Sequence, residues 1–294
     1  LVRHTRTVDG VNVQVMVMAM NGDVDAARNA AEAALQEYAR VVRLLGGPAG
    51  AVAAVQRDAG VKPVDVPPEA LDVLLAAVRL CQLSGGAYDP TAGAYAPLWP
   101  FGTALPLQSP PAEELARRAP LVDCRKLVVD APARTAFLQA PGMTLDLEDG
   151  IRAKAMERAA AQLQASGYGD LILHAGGDVV VSGHKAGRRW SVGIQDPRGP
   201  SHFAAVPVSS GAVFTTGDYE QAFMERGRRM HSVLDPRTGL PARGCRSVTV
   251  VARQPLDAAL ISRAVFVMGP DAGLKLVEKL TGTEAIVVDD RNRV

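Results

Sequence analysis

Apolar runs alternate with alanine-rich and turn-rich segments along this chain, and the alternation predicts a mixture of strands and helices. The apolar run 11–20 is typical of a buried strand. The alanine-rich stretch 23–45 behind it is typical of a helix that Asp23 caps and a Gly-Gly-Pro turn ends. Further strands are expected at 127–129, 135–138, 143–147, 190–195, 204–209, 247–252 and 284–289, a strand pair at 171–181, and further helices at 68–83, 112–119, 151–164, 256–268 and 271–280. Because these elements follow no strict strand-helix-strand repeat, the expected fold class is mixed α/β, of the α+β kind.

No Pro/Ser-rich linker, internal repeat or low-complexity tract divides the chain, so we expect a single domain over residues 1–294. No Gly-x-Gly-x-x-Gly motif follows a predicted strand and no Gly-Lys-Ser/Thr loop occurs, which argues against a dinucleotide-binding fold and a P-loop. The run 11–20 is also too short for the roughly 18 apolar residues that span a bilayer. Any membrane attachment is expected only through an N-terminal signal or anchor preceding Leu1.

The charge balance narrows the classes of partner. Lys and Arg number 32 against 31 acidic residues, and the signs are mixed along the chain, so nucleic acid is not an expected partner. Aromatic residues make up only 4% of the chain, which indicates an aliphatic core. The three cysteines, Cys81, Cys124 and Cys245, permit at most one disulfide, and Cys81 is expected to be an ordinary core residue of its helix.

Polar residues cluster at three places, 146–154, 174–178 and 215–239, and the last cluster is the densest. Its first part, 215–219, suits either a loop that binds an anion or heterocycle, or a plain turn. Farther along, His231 and Arg237 offer a base and a phosphate partner; alternatively Asp235 caps the turn and pairs with Arg237. A Ser-His-Asp triad is disfavoured because Ser232 and His231 are neighbours that point to opposite faces of a strand.

Several motifs occur in a distinctive order. They are SGGAYDPT at 84–91, LWPFG at 98–102, AGGD at 175–178, GIQDPR at 193–198, TGDY at 216–219, DPRTG at 235–239, SVTV at 247–250 and AVFVMGP at 264–270. Taken together they resemble the motifs of the ApbE family of flavin transferases (FAD:protein FMN transferases), over nearly the whole chain and in the family's order.

The resemblance implies an α/β fold of two intimately packed halves with FAD between them. It also implies magnesium-dependent cleavage of the FAD diphosphate, transfer of FMN to a Thr or Ser of a target protein, and a periplasmic or other extracytoplasmic location. Carried over residue by residue, the expected cofactor-binding set is Tyr88, Gly176, Gly177, Asp178, Thr216, Gly217, Asp218, Tyr219, Arg237 and Arg263. His231 is the base candidate, with Ser232 beside it.

The positions at which this chain differs from the family's motifs are those that carry the family's chemistry. The metal-binding Asp and Thr of the family's DALxT motif fall on Ala259 and Arg263, so no metal ligand is predicted and magnesium is doubtful. Asp257 lies two residues before Ala259, which turns it by about 200° around the helix. Arg263 puts a fixed positive charge where the cation belongs, and it is also able to pair with a diphosphate.

The family's DLGGIAKGYAVD segment falls on residues 146–157 and permits two alignments. Without a gap, its two glycines become Glu148 and Asp149 and its lysine becomes Arg152; a slipped alignment instead retains Gly150 and Lys154. The family histidine falls on Ser232, one place after His231. The SELSRLN motif is replaced at 50–56.

Three hypotheses follow. The first is a degenerate member with weak or no transferase activity, which serves as a flavin-binding or protein-interaction subunit; in it Arg152 and Arg263 form ion pairs with Glu148 and Asp149. The second is an active FMN transferase with a rearranged metal site built from Asp149, Glu148 or Asp257. The third is an FAD diphosphate hydrolase. FAD is the expected cofactor, and a flavin-acceptor or other protein is the expected partner.

Overall fold

A computed structural model describes residues 1–19, 22–99, 101 and 108–294. In chain order its strands are β1 (Val2–Val8), β2 (Val11–Val17), β3 (Val64–Asp65), β4 (Leu127–Asp130), β5 (Thr135–Leu138), β6 (Leu171–Ala175), β7 (Asp178–Ser182), β8 (Trp190–Gln195), β9 (His202–Val208), β10 (Ser210–Gly217), β11 (Ala222–Glu225), β12 (Arg228–His231), β13 (Cys245–Ala252) and β14 (Thr283–Asp289). Its α-helices are α1 (Val24–Leu45), α2 (Ala51–Arg57), α3 (Pro68–Leu83), α4 (Ala112–Arg118), α5 (Glu148–Ala165), α6 (Pro255–Met268) and α7 (Pro270–Val277).

A seven-stranded antiparallel sheet organises the molecule, in the order β1-β2-β6-β7-β10-β13-β14. One face of this sheet packs against α1, α5 and α6. The opposite face carries the two-stranded β8–β9 ribbon, whose Trp190, Val192 and Ile194 pack on Val179 and Val213 of the sheet. The mixed α/β fold class is therefore confirmed.

Small side chains set the spacing of the helical layer. Ala27, Ala31 and Ala34 of α1 and Ala153 and Ala159 of α5 are almost fully buried, and the two helices pack together in the same core cluster. Gly150 does the same for α5 against α3, because a Cβ there would come within 2.9 Å of Val73 Cγ1. The alanine-rich composition thus becomes close helix packing and an aliphatic core.

Most of the expected elements are confirmed, including the cap of α1, where Asp23 accepts a hydrogen bond of 2.9 Å from the Ala26 amide. The expected strand at 143–147 is wrong. This segment runs along the loop at Pro90, where the Asp146 amide donates to the Pro90 carbonyl at 2.7 Å, and forms only one isolated bridge, Ala92 with Thr144. The sequence pattern also did not predict α2, the edge strand β1 or the β11–β12 hairpin. It did not predict β10 either, where a turn-rich stretch was expected. In the described ranges no helix has the length and hydropathy that crossing a membrane requires.

A disulfide joins the end of α3 to the segment before β4. Cys81 and Cys124 are both buried and bonded to each other, so the interpretation of Cys81 as an ordinary core residue is wrong; Cys245 is buried and free. Asp89 strengthens the same connection, since its carboxylate accepts from the Cys124 amide at 2.9 Å and from the Thr91 hydroxyl at 2.6 Å. The SGGAYDPT loop is therefore held at both ends.

We expect loss of this disulfide to lower the free energy of unfolding by about 2–4 kcal/mol, because the bond closes a loop between cysteines 43 positions apart. Urea unfolding of the variant Cys81→Ala/Cys124→Ala, compared with the wild type without reductant, measures the effect. Cys245→Ala is the matched control and should keep the wild-type midpoint to within the cost of one buried thiol. A double variant that unfolds at the wild-type urea concentration would contradict the prediction.

Candidate functional site

A polar cavity of about 300 Å³ opens where the N-terminus of α5, the middle of α6 and the chain around β11 and β12 meet. Its polar lining consists of Asp146, Glu148, Asp149, Arg152, Glu220, Gln221, Ser232 and Arg263, and its apolar lining includes Trp99 and Phe101. Trp99 is fixed by a hydrogen bond of 2.9 Å from its indole N–H to the Gly239 carbonyl and stacks on Phe101. This cavity contains the first of the three polar clusters.

A second cavity of about 590 Å³ adjoins it and is mostly apolar. The two share Ala96, Asp146, Glu148 and Arg152, and the larger one extends between α1, α2 and the start of α5. Gln56, at the end of α2, accepts a hydrogen bond of 2.7 Å from the Leu145 amide and so fixes one wall. The two cavities together form an apolar space with a charged end, a common arrangement for cofactor sites.

Arg263 bridges two carboxylates at this charged end. Its Nη2 donates to Asp146 Oδ2 at 2.6 Å and its Nη1 donates to Asp149 Oδ2 at 3.0 Å. Ala259, one helical turn earlier on the same face, contributes no polar atom. Asp257 points away from the cavity, as expected, and pairs with Arg79 outside it. Arg263 thus places a fixed positive charge between two acids.

Arg152 forms the other half of the network. Its Nη2 donates to Asp149 Oδ1 at 2.6 Å, its Nε to Asp178 Oδ2 at 2.8 Å, and its Nη1 lies 3.7 Å from Glu148 Oε1. The expected ion pairs of the two arginines with Glu148 and Asp149 are therefore confirmed.

The structure also distinguishes the two alignments of this segment. Lys154 faces α3, where its Nζ lies 2.7 Å from Asp72, and it also lies 3.0 Å from Glu157 of its own helix, so Arg152 is the basic residue at the cavity. Gly150, the other residue that the slipped alignment retains, also packs against α3. The ungapped alignment therefore describes the cavity.

Residues that hold a divalent cation are not brought together here. In the part of the chain that the structure describes, only Cys81, Asp89 and Cys124 place three suitable ligand atoms near one point, and those two sulfurs are bonded to each other. Asp146 and Asp149 are instead occupied by Arg263. Magnesium is commonly held by one or two carboxylates together with water and substrate phosphates. Because the fixed charge of Arg263 occupies the two carboxylates that could do this, the residues present do not fit the ion, and we derive no reaction step through a metal.

Burial and ion pairing act on these acids in opposite directions. Burial pushes the pKa of Asp149 upward, but the attraction of Arg263 and Arg152 outweighs it, and the pKa lies below its ordinary value. For Asp178 burial prevails and raises the pKa to about 7, against the opposing charge of Arg152 and the hydrogen bond from the Thr215 amide. The two carboxylates that share Arg152 thus differ in how firmly they hold a proton.

Tyr88 and Thr216 lie close to this network. Tyr88 is buried, its hydroxyl has no partner among the described residues, and burial raises its pKa, with Asp146 and Arg263 the nearest influential charges. The hydroxyl of Thr216 is 2.8 Å from that of Ser262, which precedes Arg263 on α6. Neither residue is part of the lining of the two cavities, and their roles as cofactor-binding residues stay predictions.

Other residues of the predicted set lie elsewhere. Gly176 and Gly177 form the tight turn between β6 and β7, with φ of +60° and +92°, and line a cleft on the opposite face of the sheet. Tyr219 lines that same cleft, and burial raises its pKa to about 12. Gly217 gives Tyr219 room, since a Cβ there would lie 2.3 Å from its ring. The Thr216 and Tyr219 side chains thus lie on different faces of the sheet, and the role of the TGDY segment in ligand binding stays a prediction.

His231 and Ser232 point to opposite sides, as their adjacency predicted. Ser232 lines the polar cavity, whereas His231 faces away, with its Nε2 3.1 Å from the Ala242 carbonyl. Arg237 lies on an exposed turn, where it donates to Asp235 at 2.8 Å; the turn interpretation of this segment is confirmed, and Arg237 does not reach the polar cavity. Asp218 binds Arg198 through both oxygens, at 2.6 and 2.5 Å, outside that cavity.

Thr144 and Glu220 lie at the two cavities, yet sequence reasoning did not single them out. The Thr144 hydroxyl is buried on the wall of the larger cavity and has no partner among the described residues. Glu220 directly follows the TGDY motif, and that position was the available signal. Thr144 gave none, because it lay inside a segment expected to be a strand.

Comparison with known proteins assigns this arrangement to one family. The ApbE family model matches residues 10–287, so the chain belongs to the ApbE family. A relative from Treponema pallidum named FAD:protein FMN transferase is 31% identical over 83% of this chain and 72% of its own length. One of the same name from Haemophilus influenzae is 28% identical over 74% of this chain and 65% of its own.

Solved structures agree with this assignment. The ApbE protein from Thermotoga maritima superposes with a TM-score of 0.88 at 28% identity, covering 99% of this chain and 95% of the other. The flavin transferase ApbE from Vibrio cholerae superposes with a TM-score of 0.84 at 23% identity, covering 98% and 93%. The latter likeness is one of fold.

We expect Arg263→Met to lower the free energy of unfolding at pH 7 by on the order of 2–3 kcal/mol, because it leaves two partly buried carboxylates without their shared partner. Because the folded-state pKa of Asp149 is lowered, its ion pairs stabilise the fold above the ordinary value of 3.8 and this contribution is lost as the pH falls below it. The difference between variant and wild type should therefore stay constant down to about pH 4 and begin to shrink only below the ordinary value of 3.8.

Urea unfolding of both proteins from pH 7 to 3.5 measures this difference. Arg79→Met removes an exposed ion pair with Asp257 and is the matched control, expected to cost less than about 1 kcal/mol at any pH. Equal costs for the two substitutions at pH 7 would show that the Arg263 network does not stabilise the fold.

Proposed function

We propose that this chain is a flavin-holding ApbE homologue with weak or no FMN transferase activity. It binds FAD in the two adjoining cavities and serves as a flavin-binding subunit for a partner protein. The observation that carries the proposal is the pairing of Arg263 with Asp146 and Asp149, while Ala259, one turn earlier on the same face of α6, offers no side-chain ligand. We infer FAD as the ligand because the relatives are named FAD:protein FMN transferase. Arg263 argues against the transfer of FMN.

The cavities fit the parts of FAD. The larger one offers apolar walls from Tyr38, Val42, Val52 and Ile151 to a ring system, and the unpartnered Thr144 hydroxyl is free to hydrogen-bond to it. The polar one offers the guanidinium groups of Arg152 and Arg263, and each group has more donors than its ion pairs use. When bound, FAD supplies the redox-active flavin; the residues named here bind and orient it.

Electrostatics explains why binding need not lead to cleavage. An oxygen of the diphosphate becomes a better leaving group when a divalent cation neutralises it. Arg263 neutralises negative charge without offering an open coordination position, and its two ion pairs keep Asp146 and Asp149 from acting as metal ligands. The site therefore holds a diphosphate without activating it.

The alternatives are an active transferase and an FAD diphosphate hydrolase, and both require a cation near Asp149, Glu148 or Asp257. Asp257 pairs with Arg79 outside the cavity, and neither oxygen of Asp149 is left unpaired to hold a cation, since both accept hydrogen bonds from arginines. The names of the relatives favour the transferase, so the experiment below measures both outcomes.

The proposal includes a periplasmic or other extracytoplasmic location. The buried Cys81–Cys124 disulfide supports it, because such bonds persist in oxidising compartments. The partner would be a flavin acceptor or another protein that uses the bound flavin.

Titration of the purified protein with FAD, with and without magnesium, tests the proposal when AMP and FMN are followed by mass spectrometry. We expect FAD to bind in both conditions and no AMP to form. Ala259→Asp/Arg263→Thr restores the family's two ligand types one turn apart on α6, so this variant should take up magnesium and release AMP only when magnesium is present.

Ala259→Asn/Arg263→Thr is the matched control, which removes the arginine but adds no charge, and it should remain inactive. Magnesium-dependent AMP release by the wild type would instead establish a catalytic member. Absence of FAD binding would refute the flavin-holding proposal and leave a protein-interaction scaffold.

Ala96 gives an independent test of where FAD binds, because it is exposed and lines both cavities. We expect Ala96→Trp to weaken FAD binding at least about tenfold by filling the junction, with little effect on folding. Ala116→Trp, at an exposed position on α4 that lines neither cavity, is the control. Fluorescence titration of FAD into the two variants measures the effect, and equal affinities would place FAD elsewhere.

A further inference from the structure

A separate cavity of about 630 Å³ lies beside β12, and arginines dominate its lining. These are Arg198, Arg228, Arg229, Arg243 and Arg246. They come from three parts of the chain: the segment after β8, the strand β12, and the stretch that covers the approach to β13 and its first residues. The carboxylates lining the cavity are Asp218 and Asp290, so positive charge is in excess. The volume is in the range of small-molecule sites.

Contacts within the protein occupy some of these arginines and leave others without a partner among the described residues. Arg198 spends both terminal nitrogens on Asp218, and Arg246 donates to the Asp290 carbonyl at 2.8 Å and to Asn292 at 3.1 Å. Among the described residues, Arg228 and Arg243 make neither a salt bridge nor a side-chain hydrogen bond. Their guanidinium groups are therefore available to an oxyanion, which they suit through paired N–H donors.

His231 adds an unpartnered acceptor to the wall of the cavity. Its ring is 96% buried, at 4% relative exposure, and lies edge-on to Phe266. Because Nε2 faces the Ala242 carbonyl, which only accepts, Nε2 carries the hydrogen and Nδ1 is left as an acceptor. No donor in the described part of the chain reaches Nδ1. Nδ1 is itself closed off from the cavity, so His231 contributes a buried wall to the site and no hydrogen bond to a ligand.

Apolar side chains complete the lining. Met224 and Leu240 border the cavity and are 62% and 37% exposed, which is high for such large apolar groups. Met230 and Pro241 lie beside them. A bare inorganic ion would leave this apolar surface uncovered, whereas an organic ligand would cover it.

We propose that this cavity binds a small organic anion. A phosphate or carboxylate group would lie between Arg228 and Arg243, and an apolar body would lie against Met224 and Leu240. The site lies on the other side of β12 from Ser232 and is distinct from the flavin cavities, so it does not depend on the proposed function.

Phenyl phosphate and benzoate are the probes, because each joins an oxyanion to an apolar ring, and inorganic phosphate is the comparison that lacks the ring. Isothermal titration calorimetry at 0.15 M salt measures binding. We expect at least one aromatic probe to bind more tightly than inorganic phosphate, and the stronger of the two identifies the preferred oxyanion. In Arg228→Glu/Arg243→Glu the dissociation constant should rise at least about tenfold.

Arg188→Glu/Arg189→Glu is the matched control. These exposed arginines line the cleft on the opposite face of the sheet, form no salt bridge among the described residues, and change the net charge by the same amount. The control should bind the probe within about twofold of the wild type at this salt concentration. Thermal melts verify folding, and Arg228→Gln/Arg243→Gln replaces the charge-reversal variant if that one unfolds.

Three results would overturn the proposal. One is that neither aromatic probe binds. Another is that both double variants weaken binding equally, which would indicate general electrostatic attraction instead of a site. The third is that inorganic phosphate binds as tightly as the aromatic probes, which would contradict the apolar part. Binding that persists in the presence of saturating FAD would confirm that the two sites are distinct.

Discussion

The ion-pair network of Arg152 and Arg263 is the interaction on which the candidate site depends. Three aspartates, Asp146, Asp149 and Asp178, converge on these two guanidinium groups from a loop, a helix N-terminus and a strand end. If either arginine were removed, a partly buried carboxylate would lose its partner, which costs far more than the loss of a surface pair. The network therefore joins α5, α6 and β7 at the place where the two cavities meet.

The residues that depart from the family pattern include two acids and two arginines, and their charges balance one another. Two glycines become Glu148 and Asp149 in the first turn of α5, where the helix dipole favours negative charge. The family lysine and threonine become Arg152 and Arg263, which pair with those acids. Unpaired charges in a partly buried site would destabilise the fold. The pairing of these acids with the two arginines therefore keeps the fold and the cavity stable.

Strands and helices with strong apolar periodicity were predictable, because local pattern and tertiary packing agree in them. The failures share a physical cause. The apolar run at 143–147 reads as a strand, yet Gly93 lets the neighbouring loop approach the Leu145 backbone so closely that a Cβ would lie 2.6 Å from it, and that loop takes the Asp146 amide. The strand β10 was missed because its last residues, Thr215 to Gly217, are polar and resemble a turn. Their hydroxyls are paired by Thr249 and Ser262, which are distant in sequence.

The same limit applies to the site. Spacing alone indicated that Ser232 and His231 face opposite sides, and the alignment of α6 located Arg263. Neither showed that the TGDY segment divides among three places: Thr216 toward α6, Asp218 toward the arginine-lined cavity and Tyr219 toward the opposite sheet face. Successive residues at the end of an antiparallel strand alternate between the faces of the sheet, so a contiguous motif there serves several surfaces. A motif match therefore identifies the family of this chain more securely than it identifies which residues share a ligand.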